Sequence, residues 1–257
     1  MKRVDLAFAF AQARLQARYG ARPTTTDWSQ VEASGDLAAL LQVIRGTALG
    51  RWTARLGERP GVHAIEMRLR EEWQRDVAEV AGWQPAPWRP AIEWLRWIPY
   101  LPSLQKLARG GHAPAWMRDD PVLGSIVARE RPERRTALRS SPVAPLAAAF
   151  RPDGDVTRAW ADHWRTLWPG IATDHAPLEA LLGASTRHAK RVAQLPQDAG
   201  SRDATAAFGR RLQLHFRRHA LSAAAAVAYL ALLGLDFSRL RGLLAVRALR
   251  AEAAAPP

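Results

Sequence analysis

The sequence predicts an all-α protein, a multi-helix array of similar helical units. Three observations predict it. Apolar residues recur at three- and four-residue spacings through long segments. No stretch alternates apolar and polar residues with the β-branched content of a strand. Proline and glycine then punctuate the helical patterns, leaving helices of ordinary length joined by short turns.

In chain order, helices are expected over 5–19, 36–56, 62–82, 89–107, 155–168, 177–194 and 202–215, with two closing helical segments within 221–250. The third is the sharpest. Val62, Ile65, Leu69, Trp73, Val77 and Val80 fall three or four apart, while Glu66 with Arg70 and Glu71 with Arg75 offer i,i+4 ion pairs on other faces. Gly82 ends it, and "QPAPWRP" marks the turn that follows. The charged run "RERPERRTALRSSP" (129–142) is expected as a solvated connector between N-terminal helical units (1–128) and a C-terminal helical unit (143–257), all in one chain. The tail "AEAAAPP" is expected to fray.

The closing stretch "LSAAAAVAYLALLGLDFSRLRGLLAVRALR" opens on a nearly unbroken apolar run, 220–235. That run is shorter than the roughly 20 residues a membrane span requires, and it is rich in alanine, a weak inserter. A buried helix is expected instead. "MKRVDLAFAFAQARL" has no uninterrupted apolar core, because Asp5, Gln12 and Arg14 break it, so no signal peptide is expected.

The formal net charge is +13, and lysine stands only at Lys2, Lys106 and Lys190, so the basic character is arginine. With abundant alanine this is the usage of a GC-rich coding sequence. Such a surface attracts nucleic acid, anionic lipid or an acidic partner, or is simply solvated. The absence of cysteine excludes disulfides and thiolate metal sites.

No constellation reads as an autonomous active site, and neither a cofactor nor a metal is expected. His215 and His219 share a helical face at i,i+4, but "FRR" between them supplies no HExxH base and crowds the pair with positive charge. Asp162–His163 and Asp174–His175 are sequence neighbours that point to different helical faces. Asp119 and Asp120 precede Pro121, where Asp120 suits an N-cap and Pro121 the first helical position. Gly110–Gly111 lacks the context of a phosphate-binding loop. Among eleven tryptophans, Trp160, Trp164 and Trp168 form a helical stripe that reads as packing ahead of base stacking.

Two separated segments carry a resemblance. "FAFAQARLQAR" presents Phe8, Phe10, Ala11, Ala13, Arg14, Ala17 and Arg18, and the closing stretch presents Ala228, Tyr229 and Leu230, then Asp236, Phe237, Leu240 and Arg241. With "LLQVIRGTALGRWTARL" and "HAIEMRLREEW" between them, these resemble the C/d subunit of V-type and A-type rotary ATPases. The match covers both ends and the first third of the chain, and 132–168 lies outside it. The chain is shorter than the family's usual length, carries Asp236 where the family has Glu, and has Arg239 where the family has Asn. A divergent, shortened member is the description that fits.

The resemblance implies a funnel-like array of helical units seated on the cytoplasmic face of the membrane. There it would join the rotor shaft to the proteolipid ring and couple ATP hydrolysis to proton or sodium transport, without breaking a bond itself. The expected partners are the shaft subunits, the ring and the membrane surface; nucleic acid is not expected. In the second closing segment Phe237, Leu240, Leu244 and Ala248 form an apolar stripe flanked by Arg239, Arg241 and Arg250. Asp236 and Arg241 either fix neighbouring segments through charge-assisted bonds or belong to an ordinary core helix with snorkelling arginines. Three rival readings stand beside this one. They are a basic nucleic-acid-binding helical protein, a helical enzyme gathering Asp162, His163 and His175, and a scaffold of another membrane-associated complex.

Overall fold

Three helices start where a short polar side chain reaches a free N–H group. The computed structural model describes residues 3–130, 132–170, 175–195 and 199–254, and among them there is no strand. In chain order the α-helices are α1 (Arg3–Gly20), α2 (Thr25–Ala33), α3 (Leu37–Arg45), α4 (Gly50–Thr53), α5 (Val62–Trp83), α6 (Arg89–Trp94), α7 (Leu101–Ala108), α8 (Gly124–Val127), α9 (Arg134–Arg139), α10 (Val156–Thr166), α11 (His175–Gln194), α12 (Ala199–Arg218) and α13 (Ala223–Ala254). Short 3₁₀ turns over Ala86–Trp88, Leu95–Tyr100, Ala115–Arg118 and Ala144–Leu146 complete the set. The fold is all-α.

Capping explains several starts. Thr24 and Asp27 form a reciprocal capping box at α2, Asp36 accepts from the Ala39 N–H at α3, and Asp155 accepts from the Arg158 N–H at α10. The helix α2 is absent from the sequence expectation, although its "TTTD" start carries that box.

The chain forms two compact units, one made of 1–92 with 170–257, the other of 93–169. This division differs from the expected 1–128 and 143–257. The charged run 129–142 lies wholly within the second unit, where it forms α9 and buries Leu138. Arg131, inside that run, lies outside the described residues, as does the tail beyond Ala254; Ala251–Ala254 belong to the last helix rather than a frayed end.

In the first unit α13 is the spine, and α1, α3, α5, α11 and α12 all pack on it. The expected pair of closing helices is one continuous helix of 32 residues. Gly234 stands in mid-helix, where a glycine costs only about 1 kcal/mol against alanine. The Trp73 ring comes within 3.7 Å of where a Cβ at Gly234 would stand, so the small residue meets a large ring. This helix is long and apolar enough to cross a membrane, but 72% of its apolar window is buried inside the protein. The stripe Phe237, Leu240, Leu244 and Ala248 is buried as expected.

The span 36–56 holds two helices, not one: Gly46 caps α3, and Thr47 accepts from the Leu49 N–H before α4 begins. Helix α5 matches its expectation. Of its expected ion pairs, Glu71 with Arg75 gives way to Glu71 with Arg68 and Glu72 with Arg75 at i,i+3, and Glu66 reaches across to Arg241 of α13.

The span 89–107 breaks into α6, a 3₁₀ turn and α7, with only 93–107 in the second unit. Pro99 has no N–H to donate and Pro102 stands at the start of α7. Trp160, Trp164 and Trp168 are buried and pack ring on ring, at 5.7 Å and 21° for the first pair and 5.0 Å and 89° for the second. The Trp94 indole N–H donates to the Trp160 carbonyl at 3.2 Å. Gln105 ties α7 to α10 by donating to the Gly154 carbonyl and accepting from the Val156 N–H, each at 2.9 Å. Gly110, with φ 80°, and Gly111 close the C-terminus of α7 through N–H bonds to Leu107 and Lys106.

Candidate functional site

The two ends of the chain meet in the first unit. On α1, the face Phe8, Ala11, Gln12 and Leu15 is buried at helical spacing. One turn on, Tyr19 stacks on Phe216 of α12 at 4.8 Å. The Gln12 side-chain oxygen accepts from the Leu221 N–H at 3.1 Å, at the turn that enters α13. Leu221 has φ 61°, a left-handed conformation that non-glycine residues rarely adopt, so that turn is held against local preference. Phe10 points outward, 56% exposed, under the guanidinium of Arg14 at 5.4 Å.

Three arginines rise around a cavity of about 40 Å³ walled by Trp52 and Leu233. Arg18 pairs with Glu79 at 2.5 Å, Arg22 with Asp236 at 2.8 Å and Arg51 with Asp76 at 2.8 Å. The Trp52 indole N–H adds a third bond to Asp76, at 2.9 Å. Three cations thus face three carboxylates. Burial pushes the carboxyls of Asp76 and Asp236 above the ordinary range, and the adjoining Arg51 and Arg22 pull against it. The Tyr229 hydroxyl, buried above this network, is pushed up to about 12 by the same loss of water. Such a cluster holds helices in register. With each carboxylate committed to a guanidinium, none is placed as a general acid or base.

The sequence-selected residues therefore occupy distinct places. Phe8, Tyr229, Phe237 and Leu240 are core; Phe237 sits 4.2 Å from the Trp52 ring and 5.8 Å from the Trp73 ring. Arg18, Asp236 and Arg241 each tie one element to another, so Asp236 and Arg241 fix neighbouring segments rather than snorkel. Arg14 and Phe10 remain on the surface.

Arg22, Arg51, Trp52 and Asp76 escaped the sequence reading. For Asp76 a signal exists: it stands on the buried stripe of α5 between Trp73 and Val80, where a lone carboxylate needs a partner. Arg22 lies in a loop and carries no such mark.

The other candidates resolve separately. His215 and His219 stack at 5.5 Å, and no group of three or more His, Cys, Asp or Glu is gathered to hold a metal among the described residues. Asp162 is exposed and pairs with Arg165 and Arg158, while the His163 ring meets Trp94 edge-on at 4.5 Å. His175 belongs to the first unit and Asp162 and His163 to the second; Thr173 and Asp174 lie outside the described residues. Asp120 is buried and accepts from the Val122 and Leu123 N–H groups at 2.9 Å, which caps a turn; α8 starts only at Gly124.

A second concavity lies between α11 and α12, with a volume of about 310 Å³. Its walls include Arg187, Arg211, Arg218, His215 and Leu214. No protein-family model matches this chain, and no match is found among curated proteins or solved structures.

Proposed function

We propose that this protein is a non-catalytic central-stalk subunit of a V/A-type rotary ATPase. It would sit peripherally on the cytoplasmic face of the membrane and join the rotor shaft to the proteolipid ring. The observation that carries this reading is the meeting of the two segments on which the resemblance rests. They lie at opposite ends of the chain, yet α1 and the loop after it bind α13 through Gln12–Leu221 and Arg22–Asp236. The middle resembling segments join the same network, since Arg51, Trp52 and Asp76 all belong to them or to the helix they begin.

The chemistry suits a part that carries load. Cross-links between helices by charge-assisted bonds, buried beside aromatic rings, resist sliding better than apolar contacts alone, because each has a fixed direction. The carboxylates of this cluster, Glu79, Asp76 and Asp236, are each engaged by an arginine rather than free to act on a substrate. The tryptophan stripe Trp160, Trp164 and Trp168 is buried, so it offers no stack for nucleobases.

The test is purification of the tagged protein from gently solubilised host membranes, followed by mass spectrometry. Recovery of the catalytic subunits, the shaft and the ring proteolipid is expected. Recovery of none of them, from membranes whose rotary ATPase stays intact in the same detergent, overturns the proposal.

A further inference from the structure

We infer that the cleft between α11 and α12 binds the headgroup of an anionic phospholipid. Arg187 projects from α11 and Arg211 and Arg218 from α12, all three exposed around one concavity. None of them has a side-chain hydrogen bond or ion pair among the described residues, and no acidic residue lines the cleft. This contrasts with the first arginine cluster, where every guanidinium is matched by a carboxylate. The favourable pull of a helix C-terminus accounts for Arg218 at the end of α12, but not for Arg187 or Arg211. A converging set of unmatched guanidiniums is a phosphate site by geometry and charge.

The walls decide which phosphate. Leu214 stands 65% exposed beside the arginines, and Ala184 lies at the floor. The His215 Nδ1 is buried without a hydrogen-bond partner, a polar atom left for a ligand. A volume of about 310 Å³ fits a headgroup with its glycerol, at the small end of ligand sites. No Trp, Tyr or Phe lines it to stack a base, and the His215 ring is already stacked on His219. A basic rim with a projecting leucine matches the boundary between headgroups and acyl chains. The inference rests on the cleft and not on the rotary reading: lipid binding by the isolated chain and assembly into a complex fail or succeed separately.

The experiment is flotation of the full chain with phosphatidylcholine vesicles, with and without phosphatidylglycerol, beside calorimetry with a soluble short-chain phosphatidylglycerol and with inorganic phosphate. Two variants of equal charge are compared, Arg187→Gln with Arg211→Gln and Arg218→Gln, and Arg109→Gln with Arg118→Gln and Arg139→Gln on the second unit. Circular dichroism verifies that both fold. The cleft variant is expected to lose vesicle binding about a hundredfold and the second to lose less than about threefold. Leu214→Gln, which changes no charge, is expected to weaken the short-chain lipid but not inorganic phosphate. Equal losses in the two triple variants would show that net charge alone binds the membrane, and would overturn the site. Inorganic phosphate binding as tightly as the lipid, with no effect of Leu214→Gln, would assign the cleft to a free anion and overturn the lipid. Binding of a short oligonucleotide lost only in the cleft variant, without lipid binding, would overturn it equally.

Discussion

The guanidinium of Arg22 holds the carboxylate of Asp236 at 2.8 Å across 214 residues of chain, with side chains only 16% and 9% exposed. It sits where the loop after α1 crosses α13, so it reports whether the two ends are joined. Breaking one side of a buried pair strands the other charge. Asp236→Ala is expected to destabilise the protein by about 3–5 kcal/mol, while Arg22→Met with Asp236→Leu together stay near neutral. Urea unfolding of the three chains measures this, and an Asp236→Ala cost below about 1 kcal/mol would mean that the pair ties nothing.

Trp52 serves Asp76 as well as Phe237. Trp52→Phe keeps a ring against Phe237 but removes the N–H bond to the carboxylate at 2.9 Å. The expected cost is about 1–3 kcal/mol, and the Asp76 carboxyl, already raised by burial, should titrate higher still once that donor is gone. Carbon NMR of the carboxyl resonances follows the titration. An unchanged Asp76 titration counts against the bond.

Arg247 closes α2 from outside. Its guanidinium donates to the Ser34 carbonyl at 2.6 Å and to the Glu32 carbonyl at 3.1 Å, while Arg239 covers the Trp28 ring at 4.4 Å. Arg247→Ala should speed amide exchange in α2 roughly tenfold, equivalent to about 1.4 kcal/mol, and leave exchange in α5 untouched. Uniform acceleration across both helices is the contrary result.

Tyr229 sets an alkaline limit. Folding raises its hydroxyl from about 10 to about 12, so above pH 10 the unfolded chain sheds that proton while the folded chain keeps it. The folded state then binds more protons, and stability falls as pH rises from 10 to 12, by on the order of 2–3 kcal/mol. Tyr229→Phe should show a shallower decline over that window when the two chains are unfolded side by side. Parallel declines would refute the assignment.

How far the sequence could be read depended on what each residue answers to. Helix α5 was legible because its six apolar positions and its Gly82 stop are local. The closing helix was misread as two because the polar break at Asp236 is local too, whereas its partner Arg22 arrives from the other end of the chain. In the second unit, prolines convert helical periodicity into 3₁₀ turns, so a correct period gave a wrong length around 89–107. The charged run 129–142 looked solvated by composition, and among its described residues only Leu138 is buried. Arg187, Arg211 and Arg218 are spaced over two helices, so their convergence has no trace in the linear order.

The first unit is interrupted in the chain by the second, and synthesis must respect that order. Residues 93–169 are contiguous and leave the ribosome with every partner of their own unit already made. The helix α1 is made before α13 and must wait for it. At a usual rate of about 5–20 residues per second, the roughly 90 residues of 170–257 take about 4–18 seconds. Throughout that interval the buried face of α1, with Phe8 and Leu15, has no α13 to cover it. The nascent chain therefore carries the exposed apolar face of α1 until α13 arrives, and its yield in the cell depends on what shields that face in between.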